Sequence, residues 1–189
     1  MHVNDHPVKR NYRVRPGDVV TLMLDRPRHD TSIEAEDIPL DVVYEDSQLM
    51  VVNKPAGLVV HPGVGNFTGT LVNALAWHLR DVEGYDPNDP EVGLVHRIDK
   101  DTSGLLLVAK NDMAHASLAY QIKEHSLTRE YAAVVYGKLR EPEGVIDAPI
   151  GRNPNDRKKM AVTDKNSRPA VTHYYTVEEF EKFTFVRLR

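Results

Sequence analysis

The chain has 189 residues, 24 Lys and Arg against 28 Asp and Glu, a formal net charge of −4 and no cysteine. That length supports one well-buried domain with at most a small appendage, and the missing thiols exclude disulfides and thiolate metal sites. No apolar run approaches the ~20 residues that cross a bilayer and no signal-peptide core opens the chain, so it reads as a globular, cytoplasmic protein.

Residues 1–24 read as short extended segments: 12–15, a turn at Pro16-Gly17-Asp18, then a strand over 19–24. Residues 28–39 have no apolar period and read as a linker. A strand follows at 42–44, a turn at Glu45-Asp46-Ser47, a second strand at 49–52, and a Pro/Gly-punctuated loop at 53–63. Thr70 is a plausible N-cap for a helix in which Leu71, Leu75 and Leu79 share a face. Residues 81–90 are polar and read as an exposed loop. The apolar run 105–109 reads as a buried strand. Asn111 or Asp112 caps a second helix carrying Ala114, Leu118 and Ile122 at helical spacing. Residues 129–137, 171–177 and 183–188 have the β-branched and aromatic content of strands. Strands and helices mix without a βαβ rhythm, which favours an α+β fold over a doubly wound sheet.

Charge is unevenly spread. Residues 1–28 carry Lys9, Arg10, Arg13, Arg15, Arg26 and Arg28 against three acids, and 29–46 hold seven acids with no Lys or Arg. A second basic stretch carries Arg152, Arg157, Lys158, Lys159, Lys165 and Arg168 against Asp156 and Asp164. Such local patches supply phosphate contacts even on a mildly acidic protein.

Between Leu94 and Leu105 lies the charged, turn-prone segment HRIDKDTSG, 96–104. A loop of this kind set against a buried strand is a typical place for a scaffold to hold reactive groups. Nine histidines invite a metal reading, but none forms HxH or HExxH, and zinc wants three or four clustered ligands; no metal is expected. His61 and His96 read as loop caps or internal hydrogen-bonding groups. GVG at 63–65 lacks the residues of a nucleotide-binding loop, and Ser103 lacks a GxSxG elbow. Asp99 and Asp101 are too close in sequence to straddle a glycosidic bond, which needs carboxylates ~5–9 Å apart on opposite sides of the sugar. One nucleophilic carboxylate aided by arginine and tyrosine is the more natural use of these residues.

HRIDKDTSGLLLVAKN at 96–111 is similar to the signature HRLDxxTSGLxxxAK, with Ile98 in place of the usual Leu. NKPAGLVVHPG at 53–63, REYAAVVYG at 129–137, APIGR at 148–152, KMAV at 159–162 and RPAVTHY at 168–174 follow in order. Together these motifs resemble the RluA-like family of RNA pseudouridine synthases, nearest to the RluD-like enzymes that modify large-subunit ribosomal RNA. Residues 2–24 more weakly resemble the tail of an S4 RNA-binding domain. The implied organisation is an S4-like remnant over 1–28, an acidic linker over 29–40 and a catalytic domain over 41–189, built on a mixed, mainly antiparallel sheet with flanking helices. By the same resemblance the chain is truncated at both ends. It stops before a motif whose arginine pairs with the nucleophilic aspartate, so 1–189 alone is expected to isomerise uridine weakly or not at all.

The resemblance implies Asp99 as the nucleophile, or as the trigger of glycal formation. It implies that Arg97 fills the space vacated by a flipped nucleotide or contacts that nucleotide, and that Tyr131 stacks on the base with its hydroxyl available for proton transfer at C5. RNA contacts are implied for His96, Thr102, Arg152, Lys158 and Lys159, while Asp101, Thr102 and Ser103 also shape the loop through local hydrogen bonds. No cofactor, metal or membrane is implied; the partner is RNA and the state monomeric. The rival readings are a noncatalytic RNA-binding or ribosome-assembly protein on the same fold, and a carboxylate-based nucleoside hydrolase.

Overall fold

The structure is a computed structural model and describes residues 2–9, 11–22, 32–89, 93–156 and 158–189. Two compact units divide the chain, Met1–Lys110 and Asn111–Arg189.

The first unit opens with β1 (His2–Val3), β2 (His6–Pro7) and β3 (Val20–Thr21), joined in the antiparallel order β2-β1-β3. Asn4 and Asp5 form the β1–β2 turn with φ of 50° and 65°, the pair of positive values that a two-residue hairpin of the right twist requires. The Asn4 side chain accepts from the Val19 amide and donates to Asp18, both at 2.9 Å, and so ties the hairpin to β3. The expected turn at 16–18 is present: the Asp18 amide donates to the Arg15 carbonyl across Pro16 and Gly17, and Gly17 has φ 93°. The expected strand 19–24 is shorter, since Val20–Thr21 alone pair with β1 and Leu22 does not; 23–24 lie outside the described residues.

A second antiparallel sheet has the order β4-β5-β7-β6: β4 (Val42–Glu45), β5 (Leu49–Lys54), β6 (Gly93–Leu94) and β7 (Gly104–Ala109). Alternation along β5 puts Met50, Val52 and Lys54 on one face, where Leu106 and Val108 of β7 join them. Helix α1 (Leu71–His78) covers that face with Leu71, Leu75 and Leu79, all fully buried. Each such leucine contributes roughly 2–3 kcal/mol by leaving water. Thr70 caps α1 in a capping box with Asn73, as the sequence signalled. Residues 32–40 are irregular, yet they are fixed at several points. The Asn73 amide group donates to the Glu34 carbonyl, the Glu36 amide donates to the Asn73 carbonyl, and the Glu36 carboxylate accepts from the Gly69 amide.

At the far end of this sheet Glu45 accepts from Lys110 at 2.9 Å and bonds His78 at 3.0 Å. Partial burial pushes the Glu45 carboxyl up, but the His78 and Lys110 hydrogen bonds outweigh it and hold the pKa below the ordinary glutamate value. A lowered folded pKa gives stability that is present above the unfolded value and is lost as pH falls through the folded one. Acid titration of the wild type is therefore expected to lose stability below about pH 4.5. Glu45→Gln should flatten part of that loss, read as the urea midpoint against pH.

The second unit holds α2 (Asp112–Lys123), capped by Asn111, and the antiparallel sheet β8-β13-β12-β9. Its strands are β8 (Tyr131–Tyr136), β9 (Glu143–Asp147), β12 (Val171–Glu179) and β13 (Phe183–Leu188). A separate ribbon pairs β10 (Ile150–Arg152) with β11 (Met160–Val162). β9 was not anticipated because its two acids and a glycine depress strand character; pairing with β12 overrides that. Gly144 is explained by that pairing, since a Cβ there would lie 2.7 Å from the Tyr174 hydroxyl. Every described strand pair is antiparallel and the described helices are two, the α+β class expected. Among the described residues no helix is long and apolar enough to cross a membrane.

Candidate active site

The HRIDKDTSG segment links β6 to β7. Its backbone is irregular from His96 to Asp99 and closes in a turn in which the Thr102 amide donates to the Asp99 carbonyl at 3.2 Å. Ile98 packs against the core around α1. Arg97 and Asp99, its neighbours, are solvent-exposed. His96 is half-buried, and its Nε2 accepts from the Leu107 amide of β7 at 3.0 Å, so that ring nitrogen carries no proton. Among the predicted RNA-contacting residues of this loop, His96 is thus engaged with the sheet, while Thr102 is half-buried beside Asp101 and Ser103.

Lys54 holds this loop from below. At the last position of β5 it is 0% exposed, and its ammonium donates at 2.8 Å to each of three carbonyls, Pro55, Leu58 and Lys100. The Lys100 carbonyl also accepts from the Gly57 amide at 2.8 Å. Residues 54–58 and the reactive loop are thereby stitched together one residue beyond Asp99. Burial pushes the Lys54 pKa down, and the Asp101 carboxylate partly offsets this. Sequence reasoning did not single out Lys54, although the alternation Met50, Val52, Lys54 marks it as facing the core.

His61 follows in the same 53–63 segment. Crowding around its ring, and then the positive charge of Arg97, hold its pKa below the ordinary histidine value, so it is neutral at pH 7. It therefore belongs to the electrostatic surroundings of Arg97, beyond the loop-capping role expected for it.

The remaining predicted residues lie in the second unit. Tyr131 begins β8 opposite Leu188 and is 42% exposed. Arg152 ends β10, exposed, opposite Met160. Lys158 and Lys159 are exposed in the β10–β11 connection, where Asn153 accepts from the Asn155 and Asp156 amides, and Asp156 accepts from the Lys158 and Lys159 amides. Arg157 lies outside the described residues. The structure thus brings Arg97, Asp99 and Thr102 together in one loop of the first unit, and Arg152, Lys158 and Lys159 onto one ribbon of the second.

That ribbon depends on Gly151. A Cβ there would meet the Lys165 carbonyl at 3.0 Å, the Asn166 carbonyl at 3.2 Å and the Thr163 methyl at 2.9 Å. Backbone atoms cannot swing aside, so Gly151→Ala is expected to cost about 1–3 kcal/mol and loosen the ribbon. Faster amide exchange at Ile150 and Thr163, with β8 and β13 unchanged, is the measurement.

The family model described as RNA pseudouridylate synthase matches residues 48–189. The chain is 50% identical over 184 residues to an uncharacterized RNA pseudouridine synthase of Bacillus subtilis, YlyB, covering 97% of this chain and 60% of that protein. It is 46% identical over 174 residues to the ribosomal large subunit pseudouridine synthase D of Nitrosomonas europaea, covering 92% of this chain and 49% of that protein. The solved structure of human RNA pseudouridylate synthase domain containing 1 superposes with a TM-score of 0.62 at 25% identity, over 79% of this chain and 58% of that one. The chain spans about half to three-fifths of the length of these relatives. An exposed Arg97–Asp99 pair on a stitched loop, a match over three-quarters of its length and relatives at this identity make the chain a member of the RNA pseudouridylate synthase family.

Proposed function

We propose that the protein containing this chain isomerises uridines to pseudouridine within RNA, large-subunit ribosomal RNA being the substrate class, with Asp99 as the reacting carboxylate. The observation that carries the reading is the Asp99 side chain itself. It is exposed at a turn whose neighbours, Ile98 and the Lys100 carbonyl, are both fixed to the core. The relatives named as large-subunit enzymes support the ribosomal substrate.

The reaction breaks the N1–C1′ bond, turns the uracil, and forms C5–C1′; a proton leaves C5 and a proton is gained at N1. Product and substrate have equal mass, and no electrons are exchanged with a co-reactant. Asp99 acts at the ribose, either by covalent attack or by initiating glycal formation. Arg97, two residues earlier and exposed, fills the space left by the flipped nucleotide, whose unstacking costs a few kcal/mol. Tyr131 faces the base and handles the proton at C5. Arg152, Lys158 and Lys159 contact phosphates, while Thr102 and the Leu107-bonded His96 serve the RNA by shaping the loop. The β2-β1-β3 sheet with Lys9, Arg13 and Arg15 is the C-terminal part of an S4-like module over 1–28, joined through 29–40 to the catalytic part. The protein works as a cytoplasmic monomer.

The test is carbodiimide mapping of transcribed 23S ribosomal RNA after incubation with the full-length protein. New reverse-transcription stops at defined uridines are expected. Unmodified RNA refutes the proposal, and release of free uracil would assign a hydrolase instead.

A further inference from the structure

The first unit contains a cavity of about 300 Å³ that none of the proposed roles uses. It opens beside α1 and is walled by Val72, Leu75 and Leu94, with Tyr85, His61 and Asn88 supplying polar atoms. The Tyr85 ring packs against the core, and its hydroxyl lies beside Gly93, another residue of the cavity wall. Among the described residues no hydrogen bond reaches that hydroxyl. Asn88 is fixed in place, its Oδ1 accepting from the Ile33 amide at 2.8 Å.

The character of the lining selects the ligand. Burial, then the Asp86 charge, raises Tyr85 to about 12, so it stays a neutral donor. His61 is held neutral by crowding and by Arg97. Asp89 lines the cavity and, among the described residues, no Lys or Arg does, which disfavours a phosphate or carboxylate. The volume is at the small end of ligand sites, which run about 300–1,000 Å³, and suits one planar heteroaromatic ring. Gly93 and Leu94 of β6 line the cavity, and the loop that carries Asp99 begins two residues beyond them at His96.

We propose that this cavity receives a second, unstacked nucleobase of the bound RNA, between the aliphatic walls of Val72, Leu75 and Leu94 and against the Tyr85 hydroxyl and His61. The idea rests on the RNA-modifying reading above and assigns it a specificity site distinct from the pocket of the reacting uridine. A neighbouring base drawn from its stack binds there and selects RNA by what lies beside the target.

The experiment is a titration of the methyl-labelled full-length protein with uridine, adenosine and inorganic phosphate. Saturable shifts of the Val72, Leu75 and Leu94 methyls with a nucleoside, and none with phosphate, are expected. Tyr85→Phe removes only the hydroxyl. It is expected to weaken nucleoside binding about three- to ten-fold, the worth of one hydrogen bond, and to raise KM for RNA with kcat unchanged. Silent methyls at about 20 mM nucleoside, a concentration that detects even millimolar affinity, would overturn the proposal. So would equal shifts from phosphate, or wild-type affinity in Tyr85→Phe. Because binding is read without product, the two readings separate. Nucleoside binding by a protein that makes no pseudouridine sinks the isomerase reading alone, and silent methyls in an active enzyme sink this one alone.

Discussion

Asp99→Asn in the full-length protein is expected to lower pseudouridine formation at least about a thousand-fold, equivalent to about 4 kcal/mol of transition-state stabilisation. The substitution keeps shape and volume while removing charge. An amide neither attacks the ribose nor sustains the positive charge that develops there as uracil departs. Among the described residues no hydrogen bond or ion pair reaches the Asp99 carboxylate, and its one fixed contact is the backbone bond to Thr102. No contact among the described residues is therefore lost, and the urea midpoint and RNA affinity should stay near those of the wild type. Asp101→Asn supplies the contrast. That carboxylate lies near the buried Lys54 and is expected to leave most turnover intact. Single-turnover assays of both variants on the same transcript decide the matter; residual Asp99→Asn activity above about a tenth of wild type would remove Asp99 from its role.

The second large effect falls on stability. Lys54→Met preserves the stem's packing beside Met50 and Val52 but deletes three hydrogen bonds from a buried ammonium. Bonds involving a charge contribute about 1.5–3 kcal/mol each, and the relief of desolvation returns part of that, leaving an expected loss of about 2–4 kcal/mol. The Lys100 carbonyl keeps its Gly57 partner, whereas the Pro55 and Leu58 carbonyls are left without the ammonium. Urea unfolding at constant m-value measures the loss. Amide exchange should quicken at Gly57 and Thr102 before it does at Leu106. An unchanged midpoint would show that the three bonds contribute no net stability.

What the sequence disclosed follows the range of the interactions involved. Caps are local, so Thr70 and the Asn111 alternative were readable and both observed. The strand at Phe183–Leu188 matched its expected ends because its aromatic and β-branched residues signal a strand without help from partners. β9, β10 and β11 escaped because their strand character comes from pairing, which no local pattern records. The reactive loop was legible because its motif is contiguous. Its support was not. Lys54 meets Lys100 across 46 positions of sequence, and His61 meets Arg97 only through the fold. The expected linker similarly conceals contacts from Glu34 and Glu36 to α1 that depend on a helix formed more than thirty residues later.

The way the HRIDKDTSG loop is held also bears on its transferability. Its first residue bonds to the strand that follows it, its third is a plug in the core, and its fifth is gripped by the 54–58 segment. Three anchors in nine residues point to three different parts of the unit. The motif is therefore not a portable cassette. Spliced into another scaffold, the nine residues would retain their chemistry and lose their geometry, and a working graft must carry the 53–58 turn and β7 through Leu107 with it.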